Sequence, residues 1–345
     1  MPLAAFRLSA QRLIPIESES DSPDELTRRL PRGIFTTFST NHSGTRVLGL
    51  CAHLERLYAS TESAPAPSAS RADLRRALSR LAASNAPGES RFRLLMSAAD
   101  GTVYVIVQPF TPLAKEIYER GVKVITADLV RHDARLKDSG FITESQSART
   151  RVSGDVFEVL LTKNGKIYEG MTSNFYAVLP VIASDGRVGR VFAEAVSRSS
   201  EAIPARSSVI ARNEAISSLG RGLLRRVGVS VRKERYPSTS SGHRSTTDPP
   251  RNDGATLVTA RTGILLGVTR RAVLRLARGE GMSIRYRAPR VDENFAEAFL
   301  TSSSRGVVPI ISIDGIGVGE GRVGAWTKRL SLAYQAYVEE RSESL

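Results

Sequence analysis

Aromatic and β-branched residues dominate Gly33–Thr40, which reads as a strand. The polar cluster Asn41-His42-Ser43-Gly44 predicts a turn, and Val47–Leu50 a second strand leading into a helix that runs to about residue 60. Leu74, Leu78 and Leu81 make one apolar stripe of a helix over Ala72–Ala83. Arg91–Phe110 reads as a hairpin around Asp100-Gly101. These elements predict a small N-terminal α+β domain over residues 1–121. A second, larger and β-rich domain is expected over residues 122–345. Within it Val156–Leu161 is a strand, Asn164-Gly165 a two-residue turn, and Lys166–Tyr168 the start of the returning strand. Asn174–Leu179 and Ala255–Thr259 read as two further strands. A helix is expected over Arg270–Arg278, ending at Gly279.

Residues 180–252 break this rhythm. They separate two strands that a short turn would join, and a structureless loop beyond about 15 residues is uncommon in a compact domain. The segment holds the low-complexity run Pro237–Asp253 and resembles translated repetitive DNA more than a module. It is read as a disordered or foreign insert. Leu219, Leu223, Leu224 and Val227 are nonetheless spaced for a short amphipathic helix, which leaves a regulatory or interaction segment as the alternative.

Composition narrows the class. The 345 residues are 41% hydrophobic, enough for two packed cores. The single cysteine, Cys51, excludes an internal disulfide and points to a reducing, cytoplasmic compartment. No apolar run approaches the roughly 18 residues of a membrane span, and no secretory signal is read. The net charge of +14 raises the question of nucleic acid. Its arginines are dispersed, aromatic residues are only 6%, and no nucleic-acid motif accompanies them, so neither a nucleic-acid nor a membrane partner is expected. No metal is called for. The run Gly315-x-Gly317-x-Gly319-x-Gly321 lacks both the spacing and the strand–helix frame of a dinucleotide loop and reads as a hairpin loop.

Seven blocks carry a resemblance. They are Gly33-Ile34-Phe35-Thr36-Thr37, His53-Leu54-Glu55-Arg56-Leu57, and Arg131 with Arg135-Leu136-Lys137, followed by Gly165–Phe175 and Leu266-Gly267-Val268-Thr269-Arg270. Glu297–Ser303 with Val308-Pro309, and then Gly319–Thr327, complete the set. In this order they resemble the class IV aminotransferases, the fold-type IV pyridoxal-phosphate enzymes, a group that includes branched-chain and D-amino-acid aminotransferases and aminodeoxychorismate lyase. The resemblance covers nearly all of the chain outside residues 180–252.

The resemblance implies a two-domain, mixed α+β fold with pyridoxal 5'-phosphate between the domains, and a homodimer. It implies that Lys137 forms a Schiff base with the cofactor aldehyde, and that Glu169 keeps the pyridine nitrogen protonated so that the ring can act as an electron sink. A surface lysine and an exposed hairpin glutamate are the plain alternatives. Lys137 and Glu169 are expected on neighbouring elements of one sheet. Burial near cations should depress the pKa of Lys137. Arg56 resembles the family's phosphate-binding arginine. Gly267, Val268 and Thr269 would present helix N-terminal amides and a hydroxyl, with Ser302 and Ser303 adding two more hydroxyls. Ser173 and Asn174 complete the cofactor set, and Phe35, Thr37 and Phe141 the substrate pocket. Phe141 stands where some relatives carry a tyrosine, and it cannot donate that residue's hydrogen bond. His53 is read as a packing and orienting residue.

The leading functional expectation is amino transfer from an amino acid to a 2-oxo acid. The Phe35-Thr36-Thr37 run favours aminodeoxychorismate lyase instead, while Leu300–Ser303 and Gly324–Thr327 look closer to the aminotransferases. A catalytically impaired relative, disrupted by its insert, is the third reading.

Overall fold

The computed structural model describes residues 2–17, 19–59, 65–131, 134, 136–180 and 255–345. The segment read as an insert, with its expected amphipathic helix, lies outside the described residues from position 181 to 254, as does Arg135. The N-terminal part runs β1 (Ala4–Ser9), β2 (Arg12–Ile16), α1 (Pro23–Arg29), β3 (Gly33–Ser39), β4 (Arg46–Leu48), α2 (Leu50–Tyr58), α3 (Arg71–Ala83), β5 (Glu89–Ser97) and β6 (Val103–Phe110). The rest continues with α4 (Lys115–Arg120), β7 (Val122–Asp128), α5 (Gly140–Glu144), α6 (Gln146–Arg149), β8 (Val156–Lys163), β9 (Lys166–Gly170), β10 (Asn174–Leu179) and β11 (Thr256–Thr259). It ends with α7 (Val268–Gly279), β12 (Ser283–Tyr286), β13 (Glu297–Ser302), β14 (Gly306–Ile313), β15 (Ile316–Gly317), α8 (Ala325–Arg341) and β16 (Ser342–Ser344).

The first five-stranded sheet has the order β2-β1-β6-β5-β3. One face carries Phe38, Phe92, Leu94 and Val105, which pack on Leu50, Leu54 and Leu57 of α2 and on Leu74 and Leu78 of α3. Both helices form where local signals favour them. Ser70 and Asp73 make a reciprocal capping box at the start of α3. Gly49 precedes α2 at φ 67, and a Cβ there would lie 2.5 Å from Val268 Cγ1, so glycine lets α2 approach the start of α7. The other face of the sheet, with Phe35, Thr37, Arg91 and Arg93, borders a cavity.

The second sheet runs β12-β11-β10-β13-β14-β7-β8-β9, with β15 on β14. A further pairing of Glu169 on β9 with Asn174 on β10 curls six of these strands into a closed ring. Phe175, Ala177, Ala298, Leu300, Val308 and Ile310 fill the inside of the ring. Tyr176, Val178 and Phe299, one position out of phase, face outward onto α7 and α8. Asn164 and Gly165 both take positive φ (51 and 69), as the expected two-residue turn between β8 and β9 requires. The chain's last strand returns to the N-terminal part, where β16 pairs with β4. Among the described residues no helix is long and apolar enough to cross a membrane.

Antiparallel pairing of Leu179 with Thr256 brings the two ends of the 181–254 segment within hairpin reach. Loop-closure entropy grows only logarithmically with length, so a short turn should serve as well as a long connection. Replacing residues 182–253 by Asp-Gly is therefore expected to leave cofactor binding and turnover within a few-fold of the parent. Loss of folding in the shortened chain would make the segment a structural part.

Candidate active site

A cavity of about 390 Å³ lies between the polar face of the first sheet and the mouth of the strand ring. All thirteen residues that the sequence singles out line it: Phe35, Thr37, Arg56, Lys137, Phe141, Glu169, Ser173, Asn174, Gly267, Val268, Thr269, Ser302 and Ser303.

Lys137 reaches the wall by a different route from the one expected. It lies in no strand of the ring but on the connection between β7 and α5, which is stitched to β3 of the first sheet. Phe35 N–H donates to the Lys137 carbonyl at 2.8 Å, and Ser139 N–H to the Gly33 carbonyl at 2.9 Å. Arg32 clamps Asp138 through its Nε and Nη2. Lys137 and Glu169 thus approach from opposite sides, because ladder bonds to β3 hold the lysine segment away from the ring. Lys137 Nζ sits 4.8 Å from the centre of the Phe35 ring. Burial, followed by the charges of Arg56, Arg93 and Arg131, pushes its amine well below the ordinary lysine value, while Glu169 pulls the other way.

Glu169 is buried on β9. One oxygen accepts from Arg131 Nε at 3.0 Å and the other from the Leu265 N–H at 2.9 Å. Burial raises its pKa, against the pull of Arg131 and that amide. Arg131 lies 3.9 Å over the Phe141 ring. The phenylalanine thereby acts as a platform for the arginine that orients Glu169.

At the other end of the cavity α7 begins at Val268 after Gly267, with no side chain capping it. Arg56 on α2 donates to the Leu266 carbonyl at 2.6 Å and leans on this terminus. Burial and Arg271 lower the pKa of Arg56. Asn174 Nδ2 donates to the Leu265 carbonyl at 2.7 Å, and a Cβ on Gly267 would lie 2.5 Å from Asn174 Oδ1, so Asn174 and Gly267 set the height of this loop together. Ser173 donates its hydroxyl to Glu158 at 3.0 Å, and Ser302 accepts from Arg305. Thr269 Oγ1 lies 3.4 Å from the Tyr334 hydroxyl. His53 stays behind β3, bonded to Thr36 at 2.7 Å and packed on Phe38, and burial depresses its pKa strongly.

The sequence reading missed Asp24, Arg91, Arg93, Arg149 and Arg305 on the cavity wall. Asp24 of α1 bridges Arg93 at 2.7 Å and Arg149 at 2.6 Å. Burial opposes its ionisation, yet the two guanidinium groups hold its carboxyl below the ordinary value. Arg305 is paired with Glu158 at 2.8 Å. The available signal was the arginine spacing on β5, where positions 91 and 93 share one sheet face.

The donor set suits a phosphorylated pyridine aldehyde. An uncapped helix N-terminus, an arginine with no carboxylate partner among the described residues and a hydroxyl lie at one end. A lysine amine with a depressed pKa and a buried carboxylate lie at the other. A cavity of this make-up beside a curled sheet fits the fold-type IV arrangement that the sequence blocks resemble. The sequence profile described as Amino-transferase class IV matches residues 33–186 and 251–313, and the chain belongs to this family. A D-alanine aminotransferase of Bacillus licheniformis is 41% identical over 76 residues, 21% of this chain and 27% of that protein. A branched-chain-amino-acid aminotransferase of Escherichia coli strain K12 is 36% identical over 72 residues, 20% of this chain and 23% of that one. The chain thus matches about a quarter of the length of these curated relatives. Two solved structures share the fold. A branched-chain amino acid aminotransferase of Escherichia coli superposes with a TM-score of 0.58 at 18% identity, over 95% of this chain and 92% of that one. A hypothetical aminotransferase from Mycobacterium tuberculosis in its pyridoxal-phosphate-bound form gives 0.58 at 19% identity, over 98% and 100%.

Proposed function

We propose that the chain is a pyridoxal-phosphate-dependent aminotransferase that moves an amino group from an amino acid to a 2-oxo acid such as 2-oxoglutarate, working as a homodimer in the cytoplasm. One observation supports this reading above the others. A lysine amine held below its ordinary pKa and a buried carboxylate share a cavity whose far end opens on an uncapped helix N-terminus.

When bound, pyridoxal phosphate supplies a ring that draws electrons from the substrate's α-carbon. Arg56, the first amides of α7, the Thr269 hydroxyl and Ser303 would hold the phosphate. Glu169 would favour the protonated ring nitrogen, and Arg131 and the Leu265 amide fix the direction in which the carboxylate points. Lys137 would hold the cofactor's aldehyde end through a neutral amine, the form that its cationic, partly desolvated setting favours. The same amine can then take a proton from the substrate's α-carbon and deliver it two bonds away, to the carbon on the far side of the substrate nitrogen. Phe35 lies beneath it, and Thr37 lines the cavity two residues further along β3.

The test is to load the protein with pyridoxal phosphate and incubate it with a panel of L- and D-amino acids. Formation of 2-oxo acids from one or more of them is expected. Pyruvate release from aminodeoxychorismate, with no 2-oxo acid from any amino acid, would replace this reading with a lyase. Arg56→Ala is expected to weaken cofactor binding by about 1.5–3 kcal/mol, the range for a hydrogen bond to a charged group. Equilibrium titration of the apoprotein measures this, and an unchanged affinity would remove Arg56 from the phosphate end.

A further inference from the structure

One ion pair at the edge of the cavity holds two of its turns together. Glu158 stands on β8 with 4% of its side chain exposed, and Arg305 lies on the turn between β13 and β14. Arg305 Nη2 meets Glu158 Oε2 at 2.8 Å. Three donors converge on the other carboxylate oxygen, Oε1. They are the Thr172 N–H at 2.7 Å, the Thr172 hydroxyl at 3.1 Å and the Ser173 hydroxyl at 3.0 Å. The carboxylate therefore fixes the turn between β9 and β10 that follows Glu169. Arg305 reaches across to the same turn. Its Nη2 donates to Thr172 Oγ1, its Nε donates to Ser302 Oγ at 3.1 Å, and its guanidinium lies 5.1 Å from the centre of the Phe157 ring. The Tyr118 hydroxyl of α4 donates to the Arg305 carbonyl at 2.8 Å.

The hydroxyl groups in this network are not equivalent. A hydroxyl carries one hydrogen and two lone pairs. Thr172 and Ser173 spend their hydrogens on Glu158, so Ser173 has only lone pairs left for the cavity. Ser302 has the opposite polarity. It accepts from Arg305, and among the described residues no group takes its hydrogen. Ser302 lines the cavity, and a hydroxyl held as a donor there suits an anion. The strand register indicates which anion. Thr301 pairs with Asn174 across β13 and β10, and Asn174 donates to the Leu265 carbonyl beside Gly267. Ser302 is the next residue along β13. A continuous run of bonded residues thus leads from Ser302 to the open start of α7, where a phosphate would sit.

We propose that Arg305 is a positioning residue for the phosphate end of the cofactor. Held by Glu158, it fixes the Ser302 hydroxyl as a donor and ties the β13–β14 turn to the turn that follows Glu169. Arg305 acts through Ser302 rather than on the phosphate, because its charge is matched by Glu158 and its Nε hydrogen is taken by Ser302. Arg56, with no carboxylate partner among the described residues, is the cation left to meet the phosphate directly. This inference rests on the cofactor reading above and extends it to Glu158 and Arg305, two residues of the supporting shell.

Pyridoxal phosphate and pyridoxal differ in the phosphate. A change in the ratio of their affinities for the apoprotein, from parent to variant, therefore reads that end of the site. The parent should favour the phosphorylated form. Ser302→Ala and Arg305→Met should each lower the ratio about 10-fold, the low end for a lost hydrogen bond to a charged group. The double variant should lose no more than either single one, because both changes remove the same donor. Arg305→Met alone leaves Glu158 buried and unpaired and should melt early. Glu158→Gln combined with Arg305→Met removes both charges, while the amide oxygen can still accept from Thr172 and Ser173. Its melting temperature should recover and its ratio should not, which separates positioning from folding. Three results would each overturn the proposal: a parental ratio in Arg305→Met, a ratio restored together with stability in the paired variant, or losses that multiply when Ser302→Ala and Arg305→Met are combined. The ratio needs no turnover. An Arg305-dependent preference for the phosphorylated form, with no amino transfer from any donor, would support the positioning role and count against the aminotransferase reading alone.

Discussion

Lys137→Ala is expected to yield a folded protein that binds the cofactor without attaching it covalently, with turnover reduced by at least 100-fold and by up to about 10,000-fold, the span for a lost acid–base group. The argument begins from position. Among the described residues Lys137 is the one lysine on the cavity wall. Lys163 and Lys166 flank the exposed β8–β9 turn, where they pair with each other across the strands. It continues from protonation. An ordinary lysine is charged at neutral pH and cannot attack a carbonyl carbon, whereas partial desolvation and three neighbouring arginines favour the free amine here. The alanine variant should fold, since the segment is held to β3 through the backbone and, among the described residues, the side chain has no ion-pair partner to strand. Borohydride treatment of the loaded parent, followed by peptide mapping, should place the cofactor on Lys137 and give no labelled peptide in the variant. Label on Lys163 or Lys166 would sink the assignment.

Local chemistry made much of the fold legible in the sequence. Asn164-Gly165, the leucine stripe at 74, 78 and 81, and the Asp100-Gly101 hairpin each specify a local geometry with few alternatives. The cavity residues were legible for a different reason, since their blocks recur in a known family. What could not be read was long-range. No periodicity shows that the Lys137 segment pairs with β3 a hundred residues earlier, so both key residues were expected on one sheet. Nor does a pattern show that Asp24 reaches Arg93 and Arg149, or that the ring closes where Glu169 meets Asn174. Arg91 and Arg93 looked like ordinary dispersed charge. Their meaning depends on which face of β5 is covered by helices, and that is settled by packing of Phe92 and Leu94 on the other side.

Glu169→Gln carries the second large effect, and it divides into two parts that separate experiments can read. The first is catalytic. A carboxylate beside a ring nitrogen favours its protonated form, and a neutral amide does not. Losing an opposite charge at that distance changes a pKa by about 1–3 units, so a fall in turnover on the order of 100-fold is expected. The second is structural. Arg131 has 7% of its side chain exposed and Glu169 has 3%, so the glutamine variant leaves a buried cation without its counter-charge. Removing one member of a buried pair costs about 3–5 kcal/mol when nothing replaces it. The glutamine carbonyl can still accept from Arg131 Nε, and Phe141 still supports the guanidinium, so a smaller fall in stability is expected. Glu169→Asp discriminates between the parts. It keeps the charge for Arg131 but withdraws the carboxylate by one methylene, so it should recover stability more fully than turnover. Rapid-mixing measurement of amino-acid conversion, paired with thermal unfolding of all three proteins, resolves both parts. A glutamine variant that melts earlier yet turns over at the parental rate would leave Glu169 as the anchor of Arg131 alone, and the group beside the ring nitrogen would have to be sought elsewhere on the cavity wall.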